Sequence, residues 1–230
     1  MVAVQSNEVV YPESHWVLLE EKRRQAQAMM KPLQDAHIRS TVYGSIARGD
    51  IHATSDIDVF IHSTMSPTII EATLEANGIH ISQRFIIQAT PSYVAKAYIM
   101  IDENRGYSFP LIPMRSSESE FTRFAGQLSY CELELGARAI GVNKELELIE
   151  PTERGHISTP INGIEGIVAK KLGVDTRIVH ERVRTLERRG KVGRTGVYIK
   201  RELEPQESFG QVFEELSRGK PGLRRRIRNG

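Results

Sequence analysis

A single cysteine, Cys131, stands among the 230 residues, so no disulfide can close within the chain and a cysteine-rich zinc site is excluded. Such usage fits a reducing interior. No stretch approaches the roughly eighteen consecutive apolar residues of a membrane span. The opening, Met1-Val2-Ala3-Val4-Gln5-Ser6-Asn7-Glu8, has no basic segment ahead of an apolar core. A cytoplasmic protein without a membrane partner is the expectation. The apolar fraction of 40% and the charged fraction of 26% are those of an ordinary soluble protein, which excludes a disordered polyelectrolyte.

An excess of one charge is also lacking over the whole chain, where the balance is +2. The halves differ. Residues 1–150 hold 13 Lys and Arg against 19 Asp and Glu, whereas residues 151–230 hold 18 against 10. An acidic body followed by a basic end points to a polyanion as partner of the second part. The chain has room for one domain of about 150 residues and a smaller one. Between them, Pro151-Thr152-Glu153-Arg154-Gly155-His156-Ile157-Ser158-Thr159-Pro160 reads as a linker, with two prolines fencing polar residues. The expected division is 1–150, a linker at 151–162, and 163–230.

What is present centres on Tyr43-Gly44-Ser45-Ile46-Ala47-Arg48-Gly49-Asp50, followed by Ser55-Asp56-Ile57-Asp58-Val59-Phe60-Ile61. The apolar run from Ile38 to Tyr43 reads as a strand, and Gly44-Ser45 breaks it where a short helix begins. Backbone N–H groups at such a corner point toward an anion. Asp56 and Asp58 are two apart in a strand, so alternation puts both carboxylates on one face. Side-by-side hard oxygen ligands suit Mg²⁺, or Mn²⁺, which leaves coordination positions for substrate phosphates. The pattern argues against a calcium loop, because no third Asp or Asn and no Gly follow at the needed spacing.

Gly44-Ser45, the spacer from Ile46 to Ser55, and Asp56-Ile57-Asp58-Val59 together resemble the nucleotidyltransferase signature of the DNA polymerase β superfamily. Ala47-Arg48-Gly49 and Ser55 match the many members that read Gly-Ser-x-Ala-Arg-Gly and Ser-Asp-x-Asp. The resemblance implies a mixed β-sheet flanked by helices, an NTP substrate and a divalent metal. It assigns Asp56 and Asp58 to the metal and to catalysis, and Gly44, Ser45 and Arg48 to the triphosphate. For Arg48 an ion pair with Asp50 is the competing reading. The superfamily draws a third carboxylate from a later strand, and here the chain departs from the pattern. The run from Ile79 to Gln88 offers only Gln83 and Arg84. In Tyr107 to Ile112, which ends in Pro113 much as the matching strand of archaeal CCA-adding enzymes does, the position falls on Pro110. Asp102 and Glu103, at a turn, are the nearest acids.

Elsewhere the pattern is α+β. Glu13 to Ala36 has helical spacing, with Trp16, Leu19, Arg23, Ala26, Met30 and Leu33 near one stripe and Pro32 toward the end. Pro67 to Ala76 reads as a helix, Ala97–Ile101 and Tyr107–Ile112 as strands of a hairpin, Glu118 to Arg138 as mostly helix, and Lys144 to Ile149 as a short strand. Beyond residue 163, Ile164 to Gly173 and Thr176 to Arg189 form two helical patterns about Gly173-Val174-Asp175, resembling a helix-turn-helix. Ile178, Val179, Val183 and Leu186 give the second helix a buried face, and Asp175 or Thr176 caps it. Arg177, His180, Arg184 and Arg188 lie opposite. Gly190 to Lys200 reads as a wing that adds Arg194, Ser208 to Arg218 as a closing helix, and Gly222 to Arg228 as a basic end suited to phosphate. A winged unit of this kind commonly meets DNA or RNA through its second helix, with protein–protein or purely structural use as the competing reading. The whole chain resembles archaeal predicted nucleotidyltransferases in which a catalytic half precedes a helix-turn-helix half. The function expected is NMP transfer from an NTP to a hydroxyl of a nucleic acid or protein, with release of pyrophosphate. The alternative is a non-catalytic, nucleotide-sensing regulator that binds nucleic acid. Neither the base, the acceptor nor the oligomeric state follows from the sequence.

Overall fold

The computed structural model describes residues 6–62, 64–193 and 196–229. In chain order the elements are β1 (Asn7–Val10), α1 (Glu13–Asp35), β2 (Ser40–Tyr43), α2 (Ser45–Arg48), β3 (Ile57–Ile61), α3 (Pro67–Ala76), β4 (Gln83–Gln88), β5 (Ala95–Met100) and β6 (Arg105–Pro110). There follow α4 (Ser116–Ser119), α5 (Phe121–Ala125), β7 (Gln127–Leu128), α6 (Tyr130–Glu134), β8 (Gly141–Val142), β9 (Glu147–Thr152), β10 (Gly155–Pro160), α7 (Glu165–Leu172), α8 (Thr176–Val192), β11 (Ile199–Glu202), α9 (Phe209–Gly219) and α10 (Pro221–Arg228). The mixture of sheets and helices agrees with the expected α+β class. The elements gather into two compact units, one drawn from Met1–Gln27, Val42–Ile57 and Ser119–Thr195, the other from Ala28–Thr41, Asp58–Glu118 and Gly196–Gly230.

In the first unit a four-stranded sheet runs β1-β10-β9-β8. Its centre is a hairpin where a linker was expected. β9 and β10 pair antiparallel from Thr152↔Gly155 to Glu147↔Pro160. The two prolines sit where the loss of an N–H donor is tolerated, and buried Leu148 and Ile149 hold the hairpin on the core. Gly155 reveals the strand that covers it, because a Cβ there would stand 1.9 Å from the Val9 carbonyl oxygen. The predicted long helix over Glu118–Arg138 is broken into α4, α5 and α6. Gly126, at φ 81°, ends α5, and Ser129 restarts the chain as α6 through a capping box with Glu132.

The two helices of the predicted helix-turn-helix form as α7 and α8. Gly173 takes the left-handed turn at φ 63°, and the Asp175 carboxylate accepts from the Arg177 N–H. They do not stand apart from the first half of the chain. Val168, Leu172, Ile178, Val179 and Val183 share one buried cluster with Phe124, Val142 and Leu148. The turn is pinned to α5, since Arg123 Nη1 donates to the Gly173 carbonyl at 3.1 Å and Asp175 N donates to Glu120 Oε2 at 2.8 Å. The predicted wing does not form as a local hairpin. α8 continues to Val192, Arg194 and Thr195 lie outside the described residues, and β11 pairs antiparallel with β4, from Ile199↔Gln88 to Glu202↔Phe85. Ile199 is drawn there because it completes an apolar cluster with Ala95 and Leu223.

In the second unit β11, β4, β5, β6 and β3 lie side by side in that order, with β2 next to β3. The last two residues of β2, Val42 and Tyr43, count with the first unit, where they pair with Leu128 and Gln127 of β7. Ile86, Ala97, Ile99, Tyr107 and Phe109 alternate onto one buried face, and Phe109 meets Phe209 of α9 edge-on at 5.7 Å between centroids. The basic C-terminal stretch is a helix rather than a free tail. Its Arg226 is 2% exposed, and Nη2 donates to Glu118 Oε2 at 2.6 Å and to the Pro113 carbonyl at 3.0 Å. That arginine is therefore not a phosphate ligand.

Candidate active site

β2 delivers the chain to Gly44, whose φ of 83° and ψ of −147° suit only glycine. The N–H groups of Ala47 and Arg48 donate back to the Gly44 carbonyl at 3.1 and 3.0 Å, closing the short helix α2 at once. Gly49, at φ 104°, ends it. Ser45 is half-buried at the corner, and its hydroxyl donates to Ser55 Oγ at 3.3 Å. Ser55 Oγ also accepts from the His52 N–H at 2.8 Å, so the spacer folds back and sets the residue before Asp56 beside Ser45. Three side chains of α1 clamp the arrangement. His15 Nε2 lies 2.8 Å from the Gly49 carbonyl, Lys22 donates to the Ser55 carbonyl at 3.0 Å, and Arg23 donates to the Ile46 and Ala47 carbonyls at 3.1 and 3.0 Å. Burial, then the charge of Arg138, lowers Arg23 to about 10, which leaves it cationic at neutral pH.

From Ser55 the chain enters β3 with the alternation expected of it. Asp56 and Asp58 are exposed, while Ile57 and Val59 between and beyond them are fully buried. Both carboxylates thus leave the buried side to apolar neighbours.

The family model of the nucleotidyltransferase domain matches residues 23–94, a segment that holds Gly44, Ser45, Asp56 and Asp58. The chain carries a nucleotidyltransferase domain of the DNA polymerase β-like type. No curated protein and no solved structure gives a significant match to the chain.

Within this nucleotidyltransferase domain Arg48 is not positioned as a phosphate contact. It is 5% exposed, and its Nη1 donates to the Ala125 carbonyl at 2.5 Å and to the Val142 carbonyl at 3.4 Å. Its Nη2 pairs with Asp50 Oδ2 at 2.9 Å, so the competing reading of this residue, an ion pair with Asp50, is the one realised, but buried. The arginine ties the motif's corner to the core beneath it.

Among the described residues no third acid takes up the expected position. Asp102 is occupied in its turn, accepting from Asn104 N at 3.0 Å and from Arg105 Nε at 2.7 Å, and neighbouring Glu103 is exposed. β6 is the strand beside β3, and its Tyr107 and Phe109 face the core, with the Tyr107 hydroxyl on the Met29 carbonyl at 2.9 Å. Alternation leaves Gly106, Ser108 and Pro110 for the other face. Ser108 is the cross-strand partner of Tyr98, and burial, then the negative charge of Asp58, pushes the Tyr98 hydroxyl up to about 12. On the face that carries Asp58, β6 therefore has Ser108 beside Pro110, the position where the pattern has a carboxylate. Among the described residues no group of three His, Cys, Asp or Glu is arranged to hold a metal ion.

Two cations near the motif escaped the sequence reading. Lys22 sat among the residues off the apolar stripe of α1, yet its ammonium reaches the residue preceding Asp56. Lys96, on β5, is 9% exposed and lies over the Phe60 ring at 4.8 Å, two residues from Asp58. The strand predicted there starts at Ala97, one residue past this lysine, whereas β5 starts at Ala95. On α8, Arg177, His180, Arg184 and Arg188 are all exposed, opposite buried Ile178, Val179 and Val183, as the spacing predicts; Leu186 is half-buried. Arg177 pairs with its own capping residue, Asp175, at 2.7 Å. Among the described residues no helix is long and apolar enough to cross a membrane.

Proposed function

We propose that the protein is a cytoplasmic, Mg²⁺- or Mn²⁺-dependent enzyme that moves a nucleoside monophosphate from an NTP to a hydroxyl on a nucleic acid or protein, releasing pyrophosphate. The observation that carries this reading is the pair of exposed carboxylates on either side of buried Ile57, one residue beyond a serine hydrogen-bonded to Ser45. Two carboxylates fit Mg²⁺, which commonly takes one or two from the protein and completes its shell with phosphate oxygen and water. Asp56 and Asp58 would hold the ion, and the ion would supply neutralisation of phosphate charge. The chain's own contribution is positioning. The Ser45 hydroxyl and the backbone after Gly44 receive the triphosphate, and the clamp from α1 keeps that corner and Asp56 in register. Substrate oxygen would supply the ligand that a third acid provides elsewhere.

The reading is tested by incubating the protein with labelled NTPs and Mg²⁺ or Mn²⁺, with tRNA, DNA and the protein itself as acceptors. Transfer by the wild type, lost in Asp56→Asn and in Asp58→Asn, supports it. Equal transfer by wild type and Asp56→Asn defeats it. Pro110 at the position of the third acid also favours a second reading, a nucleotide-sensing regulator without chemistry, which predicts saturable NTP binding and no labelled product. In either case the exposed face of α8 is the proposed contact for DNA or RNA, on the basis of its basic residues Arg184 and Arg188. Their double replacement by alanine should lower a salt-dependent affinity for nucleic acid while leaving NTP binding intact. Arg177 and His180 flank them on that face.

A further inference from the structure

The first unit holds a cavity of about 390 Å³ whose walls include Tyr11, His15, Asp50, Glu145, Glu147 and His156, with Val10, Ile51 and Ile149 as apolar wall. That is the size range of small-molecule sites. Its chemistry is one-sided. Three carboxylates line it, and among the described residues that line it there is no lysine or arginine. The nearby cations are engaged elsewhere. Arg48 spends Nη2 on Asp50 Oδ2, and Arg138 donates to the carbonyls of Gly155 and Thr152.

One acceptor is left over. Asp50 Oδ2 takes the Arg48 hydrogen bond, but Oδ1 is buried without a hydrogen-bond partner among the described residues. A buried carboxylate oxygen left so costs free energy that a donor would recover. Glu147 is half-buried, and Asn143 Nδ2 donates to its Oε2 at 3.0 Å. Tyr11 and His156 are 7% and 8% exposed, and the Tyr11 hydroxyl meets His156 Nδ1 at 2.6 Å. His15 stacks on the Tyr11 ring with centroids 3.7 Å apart. Burial holds His156 below the ordinary histidine range, so its imidazole is neutral at pH 7. The wall is a stacked aromatic pair, of the kind that attracts an organic cation. A metal ion does not suit it, because no three ligands converge among the described residues.

We propose that this cavity binds a small organic cation, with an ammonium group donating to Asp50 and Glu147 and its carbon skeleton lying on Tyr11, Ile51 and Ile149. The inference stands on the cavity alone and does not depend on the transferase reading. The test is calorimetric titration of the full chain with 1,4-diaminobutane and spermidine, beside 1,4-butanediol and succinate as neutral and anionic probes of similar length. The amines should bind saturably at one site, and the diol and diacid should not. Glu147→Gln should weaken amine binding by about tenfold, the worth of one hydrogen bond to a charged group. Val10→Arg serves as the second variant, because Val10 is 49% exposed at the cavity wall and its replacement places a competing cation there without touching the core. It should abolish amine binding with an unchanged melting temperature. Absence of amine binding to the wild type overturns the proposal, as does binding of equal strength in Val10→Arg or equal binding of the diol.

Discussion

Arg48→Met separates two roles that the motif's arginine can play. If the side chain serves the triphosphate, the variant folds as well as the wild type and its KM for NTP rises. The geometry requires the opposite. The guanidinium supplies hydrogen bonds to the Ala125 and Val142 carbonyls and to Asp50, and the ion pair is 6% and 13% exposed at its two side chains. Methionine fills much of the volume but leaves a largely buried carboxylate without its counter-charge. Breaking a buried pair from one side costs about 3–5 kcal/mol. For a chain of this size each kcal/mol moves the melting temperature by roughly 2–4 °C, so a drop of about 6–20 °C is expected. The paired change Arg48→Met with Asp50→Asn should recover part of that loss, because the orphaned charge is removed. Differential scanning calorimetry of the single and double variants, with NTP affinity measured below the transition, is the assay. An unchanged transition with weakened nucleotide binding in Arg48→Met would refute the argument and return the arginine to the substrate.

Three further outcomes follow from the same geometry. Gly44→Ala should lose about 1–3 kcal/mol of stability through backbone strain alone, since a Cβ there meets nothing within 4 Å; a melting temperature equal to wild type would contradict this. Ser108→Asp should raise Mg²⁺ affinity in the absence of nucleotide, read as a larger Mg²⁺-dependent thermal shift than the wild type gives, and no gain would show that β6 does not face the metal. His62 is lowered to about 4 by burial, then by Arg39 and Lys96, and its Nε2 lies 2.9 Å from Thr41 Oγ1. The unfolded chain therefore binds the extra proton first, and stability should fall as pH drops from about 6.5 toward 4. His62→Gln should flatten that limb in urea denaturation series, and a limb identical to wild type would refute it.

The motif was legible because its information is local. Gly44 needs a positive φ, Ser45 and Ser55 lie ten residues apart, and Asp56 and Asp58 alternate about one buried isoleucine; no distant residue is needed to see any of this. The exposed face of α8 was legible for the same reason, since helical period alone sorts Arg184 from Val183. What failed was non-local. Two prolines read as a linker, because the pairing of β9 with β10 and the cover provided by β1, some 145 residues earlier, leave no local mark except Gly155. The predicted wing dissolved because Ile199 finds its partners at Ala95 and Gln88, more than a hundred residues back. Arg48 was read from its motif, while its environment is set by carbonyls 77 and 94 residues further on.

The spacer between Ser45 and Asp56 shows how a helix outside the motif governs it. A ten-residue connection between the Gly44-Ser45 corner and β3 would be slack on its own, since loop closure places the ends together without fixing their register. Here α1 supplies that register from one stripe. His15, Lys22 and Arg23 are spaced at i, i+7 and i+8, which puts them on one helical face. Each reaches a backbone carbonyl of the motif: Gly49, Ser55, and the pair Ile46 and Ala47. Carbonyls of a four-residue helix have few intrahelical donors, so side chains from α1 satisfy groups that would otherwise turn to water. The match to the nucleotidyltransferase family begins at Arg23, within this stripe and well before the glycine and serine. The match therefore takes in part of α1, and the apolar stripe read there from periodicity is interrupted at Arg23 because that position holds the corner rather than the core.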